Sequence, residues 1–334
     1  MDELVAGIAR VAAEARYSGA VRVDRADEMV FGAAYGMANR AHQVPNTLDT
    51  QFAIASGSKG FTALVVMSLV EAGALEPATT ARSLLGADLP LIDDAVTVEH
   101  LLAHRSGIGD YLDEETMGDI TDYVMTRPAH ELETTEAFLP MLDGHPTAFP
   151  ADERFAYCNG GYMVLALLAE RAGGAGFHDL VRERVLARAG LRDTDYLRSD
   201  ELPGRAATGY LSAEGLRTNV FHLPVLGNGD GGIYTTTADV HTFWTALFSG
   251  RIVSPETVAL MVRPRSDVPS ESKRYGLGFW LHATTDAVML EGYDAGVWFR
   301  SIHVPDQHLT CTEVSNTSDQ NWMLAKYIHE HLPS

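Results

Sequence analysis

Apolar residues recur every three to four positions from residue 3 to 16, which predicts an amphipathic helix at the start of the chain. Two strand-like runs follow, at 20–23 and 29–36, and Asp24-Arg25-Ala26-Asp27 between them reads as a hairpin turn. From Lys59 to Ala72 the spacing of Phe61, Leu64, Val65, Met67, Leu69 and Val70 predicts a buried helix, with Gly73 as its stop. The stretch from about 78 to 220 reads as mostly helical, with helices expected at 97–103, 131–142, 161–172 and 177–189 between Pro- and Gly-bearing loops. Beyond 232 a helix over 238–248 precedes strands at 276–283, 287–290, 296–304 and 309–314, and a last helix near 319–331 closes the pattern. Strand-rich ends around a helical middle predict an α+β fold. One antiparallel sheet, flanked by N- and C-terminal helices, is built from residues 1–78 and 225–334 and carries a mainly helical domain inserted over 79–224.

Composition narrows the function classes. The 334 residues carry 45 acidic against 25 basic side chains, a formal charge of −20, and no cluster of Lys or Arg. Such a chain repels polyanions, so nucleic acid and anionic membrane surfaces are excluded as expected partners. No run of eighteen apolar residues predicts a membrane span, and the acidic first ten residues lack the features of a secretory signal. Cys158 and Cys311 stand far apart and suggest no disulfide framework, so a cytoplasmic protein is expected. His100 and His104 have the i, i+4 spacing of metal ligands, but no third ligand accompanies them; neither metal nor cofactor is expected.

Ser56-Gly57-Ser58-Lys59 opens the apolar helix. Serine and lysine three positions apart at a helix start share one face, where the amine can take the serine proton and the helix N-terminus favours the developing alkoxide. The pattern alone is weak, because Ser270-Glu271-Ser272-Lys273 also fits it. That second copy follows Pro269 in a polar stretch and reads as a chance match on a solvated segment. Lys59 differs: it is one of three lysines in the chain and heads an apolar helix, where an unpaired charge would be costly. Tyr157-Cys158-Asn159 adds a phenol that can act as a base beside a lysine ammonium, and an amide that can orient it.

Ser56-x-x-Lys59 with Tyr157-x-Asn159 resembles the serine β-lactamase and penicillin-binding-protein superfamily, and within it the class C β-lactamase-like branch of esterases, D-amino-acid peptidases and acyltransferases. Residues 97–108 (TVEHLLAHRSGI), Gly229–Thr236 and Tyr275–Trp280 resemble further segments of that branch, in its order. The resemblance implies an antiparallel sheet with a helical domain and an active site in the cleft between them. It also implies that Ser56 attacks a carbonyl, that Lys59 and Tyr157 move the proton out and back, and that Asn159 orients them. The Ser56 N–H would form half of an oxyanion hole.

The third motif of that superfamily, K-T-G or H-x-G, aligns with Leu290-Glu291-Gly292. Gly292 keeps the glycine that lets substrate approach, and the Tyr293 N–H would complete the oxyanion hole. Leu290 stands where the cation belongs, or Glu291 if the alignment shifts by one residue, and neither attracts an anion. The loss of the cation argues against efficient β-lactam hydrolysis and favours neutral small esters, amides or peptides. Trp298, following that strand, is expected to line the acyl pocket. An acyltransferase passing the acyl group to an alcohol or amine shares every motif, and a non-catalytic ligand-binding protein is the reading from a different class.

Overall fold

The computed structural model describes residues 2–114, 117–319 and 321–331. Its main sheet has eight strands: β1 (Gly19–Arg25), β2 (Glu28–Tyr35), β3 (Ser266–Val268), β4 (Lys273–Tyr275), β5 (Trp280–His282), β6 (Val288–Asp294), β7 (Val297–Val304) and β8 (Leu309–Ser315). Their order is β2-β1-β8-β7-β6-β5-β4-β3, and every pairing is antiparallel. Both ends of the chain therefore meet in one sheet, with Gly19 paired to Ser315 at the junction.

Side-chain alternation explains why both faces are covered. Val21, Val23, Ile302 and Cys311 point to one face and pack with Leu4 and Ile8 of helix α1 (Asp2–Glu14) and Leu324 and Ile328 of helix α5 (Trp322–His331). Ala20, Leu290, Phe299 and Val314 point to the other, against helix α2 (Lys59–Glu71) and helix α4 (Thr237–Phe248). Helix α2 is apolar all round because it lies between that face and helix α3 (Asn159–Gly173).

The middle of the chain is less helical than its pattern suggests. Residues 131–142, read as one helix, form short 3-10 turns and a single α-turn over Leu139–Leu142. Pro140 and the capped, polar turns Thr134–Thr135 interrupt the period. Of the strand expected over 276–283 only β5 (Trp280–His282) forms, because Gly278 takes a positive φ of 89° and turns the chain between β5 and β4, which ends at Tyr275. The expected helix over 319–331 begins at Trp322; Gln320 lies outside the described residues.

Candidate active site

Ser56 sits in a 3-10 turn, Ala55–Ser58, between a two-residue strand (Phe52–Ala53) and α2. Ala55 adopts φ +44°, a left-handed conformation that costs a non-glycine residue on the order of 1 kcal/mol. The turn is held from outside. Ser58 Oγ donates to Ala55 O (2.7 Å) and accepts from Ile233 N (3.0 Å), and Ile54 N donates to Ile233 O (3.0 Å). The strained bend is thus clamped to the strand Ile233–Thr235.

Lys59 is buried, and its Nζ donates to three acceptors: Ser56 Oγ (2.8 Å), Asn159 Oδ1 (2.8 Å) and the Asp230 carbonyl (2.7 Å). Those bonds use every donor of an ammonium, which is how the interior tolerates it. The Asp230 carbonyl is aimed by a neighbouring tie, from Thr62 Oγ1 on α2 to Gly229 O (2.6 Å). Asn159 is fixed in turn, its Nδ2 donating to Leu112 O (3.0 Å) and Glu114 Oε1 (2.9 Å).

Tyr157 is positioned through His104. His104 Nδ1 accepts from Cys158 N (3.0 Å), and His104 O accepts from Ala156 N (2.9 Å), so the imidazole residue grips the main chain on both sides of the phenol. The two rings lie 4.3 Å apart, and Lys59 Nζ is 5.0 Å from the Tyr157 ring centre. The phenol is hydrogen-bonded to Ser56, which favours its ionised form. Loss of solvation and the carboxylates of Glu114, Asp230 and Asp110 outweigh that bond and hold the phenol well above its usual range. The surroundings of Tyr157 therefore favour the neutral phenol, a proton donor, over the base that its place beside Lys59 suggests. His104 and His100 are also accounted for, His100 as the capping-box partner of Thr97 in the short helix Val98–Leu102.

Cys158 caps α3, its Sγ accepting from Gly161 N (3.3 Å). Asp110 completes the cap by accepting from Asn159 N (2.6 Å) and Gly160 N (2.8 Å). Burial outweighs those bonds and pushes the Asp110 carboxyl up to about 6.

Gly292 on β6 lies directly over the Ser56 turn. A Cβ there would sit 2.0 Å from Ile54 O and 2.9 Å from Ser56 N. The strand's next residue, Tyr293, is half exposed. Leu290, two residues earlier on the same face, is buried against Gly60 of α2. The position aligned with the third-motif cation is part of the apolar core.

Two cavities meet at Ser56. The inner one, 380 Å³, is walled by Asn159, Asp230, Tyr234 and Asp294. The outer cleft, 1030 Å³, is lined by Tyr157, Trp280, Lys273, Glu291 and Trp298. Trp298, expected at the acyl pocket, belongs to the outer cleft, where its ring meets Tyr293 edge-on (6.1 Å). Register explains it, since Trp298 is paired with Tyr293 across the β6–β7 hairpin. Lys273 is a second correction. It does not lie in a solvated loop but on β4, salt-bridged to Glu291 and 5.1 Å from the centre of the Trp280 ring, which itself lies parallel to Tyr157. Asp230, Glu114 and Asp294 were not among the residues expected here. Asp230 stands inside the Gly229–Thr236 segment and was within reach of a closer reading; nothing in the sequence points to the other two.

Comparison with known proteins bears on the family and the fold. Residues 5–328 match the Beta-lactamase family. The chain is 28% identical over 270 residues to a D-aminopeptidase of Brucella anthropi, covering 80% of this chain and 49% of that protein. It is 28% identical over 244 residues to penicillin-binding protein 4 of Amycolatopsis lactamdurans, covering 68% and 60%. The chain thus spans about half to two thirds of the length of these curated relatives. Among solved structures, a penicillin-binding protein from Bacillus halodurans superposes with a TM-score of 0.90 at 33% identity, covering 97% of this chain and 99% of that one. The D-amino acid amidase of Ochrobactrum anthropi SV3, at 22% identity and TM-score 0.79 over 98% and 95%, shares the fold.

Proposed function

From a chain that belongs to the Beta-lactamase family, with Ser56, Lys59 and Tyr157 joined in one hydrogen-bonded group, we propose a serine hydrolase that cleaves a small ester or amide through an acyl-Ser56 intermediate. The observation that carries this reading is Lys59 Nζ, which is buried and placed 2.8 Å from the Ser56 hydroxyl at the mouth of a cavity. In the proposed cycle the reacting form carries Lys59 as the neutral amine, with the Ser56 hydroxyl turned to donate to Nζ; Ser56 Oγ attacks the substrate carbonyl and its proton passes to that amine. Tyr157, a neutral phenol, gives its proton to the departing alcohol or amine and recovers one from the Lys59 ammonium. Water then attacks the acyl-enzyme with the same groups acting in reverse. The Ser56 and Tyr293 N–H groups would hold the oxyanion.

Gly292 limits that last feature. Gly292→Ala is expected to push β6 away from the Ser56 turn, because the added carbon has no space beside Ile54 O. The kcat/KM for p-nitrophenyl acetate should fall about tenfold or more, one oxyanion donor being worth about 10²-fold at full strength. Steady-state kinetics on the folded variant checks this.

Leu290 sets the expected substrate preference. With an apolar side chain at the third-motif position and an acidic protein around the site, carboxylate-bearing β-lactams should be poor substrates. A panel of p-nitrophenyl acetate, benzylpenicillin and a cephalosporin, with Ser56→Ala as control, tests the reading. The ester should turn over with at least about tenfold higher kcat/KM than either β-lactam, and Ser56→Ala should abolish all turnover. Ester turnover surviving in Ser56→Ala would sink the assignment. An acceptor series in the same assay separates hydrolase from acyltransferase: acceptor-independent turnover at full rate favours hydrolysis.

A further inference from the structure

Three residues line both the inner cavity and the outer cleft: Ser56, Tyr293 and Glu114. The first is the nucleophile, and the second supplies the other oxyanion N–H in the cycle above. The third is a carboxylate to which that cycle gives no part. Asp119, Asp230 and Asp294 line the inner cavity alone, and Asp267, Glu271 and Glu291 line the outer cleft alone. Glu114 is thus the acid placed at the junction, where an acyl group on Ser56 meets solvent.

Asn159 fixes it there. Its Oδ1 accepts from Lys59 Nζ (2.8 Å) and its Nδ2 donates to Glu114 Oε1 (2.9 Å), so one amide sets the lysine on one side and the carboxylate on the other. Glu114 is exposed, and among the described residues no donor is bonded to Oε2. A carboxylate with a free oxygen at a cavity mouth can receive a water and its proton.

Hydrolysis of an acyl-enzyme needs such a group. Lys59 lines neither cavity; it is buried behind Ser56, with Nζ turned to Ser56, Asn159 and the Asp230 carbonyl. Tyr157 lines the outer cleft, but as a neutral phenol it gives a proton more readily than it takes one. Of the charged groups acting on that phenol, Glu114 has the largest effect, so the carboxylate also lies on the Tyr157 side of the junction.

We propose that Glu114 is the general base of deacylation, holding the attacking water over the acyl-Ser56 carbonyl and taking its proton in place of direct transfer to Tyr157. The inference rests on the acyl-Ser56 reading. The water oxygen bonds to the acyl carbon as its proton moves to the Glu114 carboxylate. The bond from Ser56 Oγ to that carbon then breaks, and Ser56 Oγ takes the Tyr157 proton. The Glu114 acid returns a proton to Tyr157 through the outer cleft, which both residues line. Ser56 hydroxyl, phenol and carboxylate are restored, Lys59 stays the amine, and the carboxylic acid product leaves. Lys59 then serves acylation, and Glu114 serves hydrolysis.

Glu114→Gln keeps an acceptor for Asn159 Nδ2 and removes the base. Stopped-flow kinetics with p-nitrophenyl acetate separates the p-nitrophenol burst from the steady state, and intact mass counts the acetyl groups on Ser56. The burst rate should change by less than about threefold, while deacylation should slow about 100-fold or more. Acetyl-Ser56 should build up toward one per chain. kcat and KM should fall together with kcat/KM nearly unchanged, whereas a merely structural role would lower the burst rate and kcat/KM. Deacylation within about threefold of wild type, or a loss confined to the burst, overturns the proposal. Should neither Glu114→Gln nor Glu114→Ala fold, the solvent deuterium isotope effect on wild-type deacylation decides: a value well above one is expected, and no effect overturns the base. If wild type forms no acetyl-Ser56 at all, the hydrolase reading has failed. If it forms and clears equally fast in Glu114→Gln, only the assignment of Glu114 falls.

Discussion

Replacing Lys59 with methionine is expected to lower kcat/KM for p-nitrophenyl acetate about a thousandfold while the protein still folds. Methionine has nearly the length of the lysine stem and suits an interior position. What it removes is, among the described residues, the sole amine in contact with Ser56 Oγ, the group that takes the serine proton in the proposed cycle. It also leaves Asn159 Oδ1 and the Asp230 carbonyl without their donor, at about 1–3 kcal/mol for each unsatisfied group. The variant should therefore melt several degrees earlier, and thermal denaturation at the assay pH must accompany the kinetics. A loss smaller than about tenfold in a folded Lys59→Met protein would show that the serine proton takes another route.

Glu313→Gln is expected to stabilise the protein above neutral pH and to flatten its stability–pH curve. Glu313 lies on β8, paired in register with Arg300, and is 2% exposed. Neither carboxylate oxygen has a hydrogen-bond partner among the described residues, and the Tyr17 hydroxyl and Trp298 Nε1 are likewise buried and unpaired. Burial raises the carboxyl from 4.5 to about 8; the Arg300 guanidinium opposes this and the Glu291 carboxylate adds to it. A folded-state value above the unfolded one means that the protonated form is the one folding favours. Stability from this group is intact below about pH 4.5 and is lost as pH rises toward 8. At about 1.4 kcal/mol per pH unit, the whole span is worth roughly 5 kcal/mol. Glutamine keeps the neutral shape and carries no charge, so the variant should gain several kcal/mol over wild type at pH 8.5 and little at pH 4.5. Urea melts at the two pH values read this directly. Equal gains at both would show that Glu313 does not titrate on unfolding.

Features that depend on close spacing in the chain were legible, and features that depend on distant segments meeting were not. Ser56 and Lys59 are three residues apart at a helix start, so geometry follows from sequence alone. The long strands β7 and β8 and the helices α2 and α4 likewise announce themselves by period and apolar content. Lys273 was misread because its local surroundings are polar, while its ion-pair partner Glu291 is eighteen residues away and arrives by sheet pairing. The protonation of Tyr157 could not be read either. It is set by Glu114, Asp230 and Asp110, which come from separate loops and create a negative field that no short motif encodes. That the Leu290 side chain fills the space against Gly60 required the packing of β6 on α2.

The central claim is that Ser56 carries the acyl group. Rapid quench of the protein with p-nitrophenyl acetate, followed by intact-mass measurement and peptide mapping, tests it most directly. The account predicts one acetyl group per chain on the peptide containing Ser56, and none on Ser56→Ala. Turnover of the ester without any Ser56 adduct, at the same rate in both proteins, would contradict it.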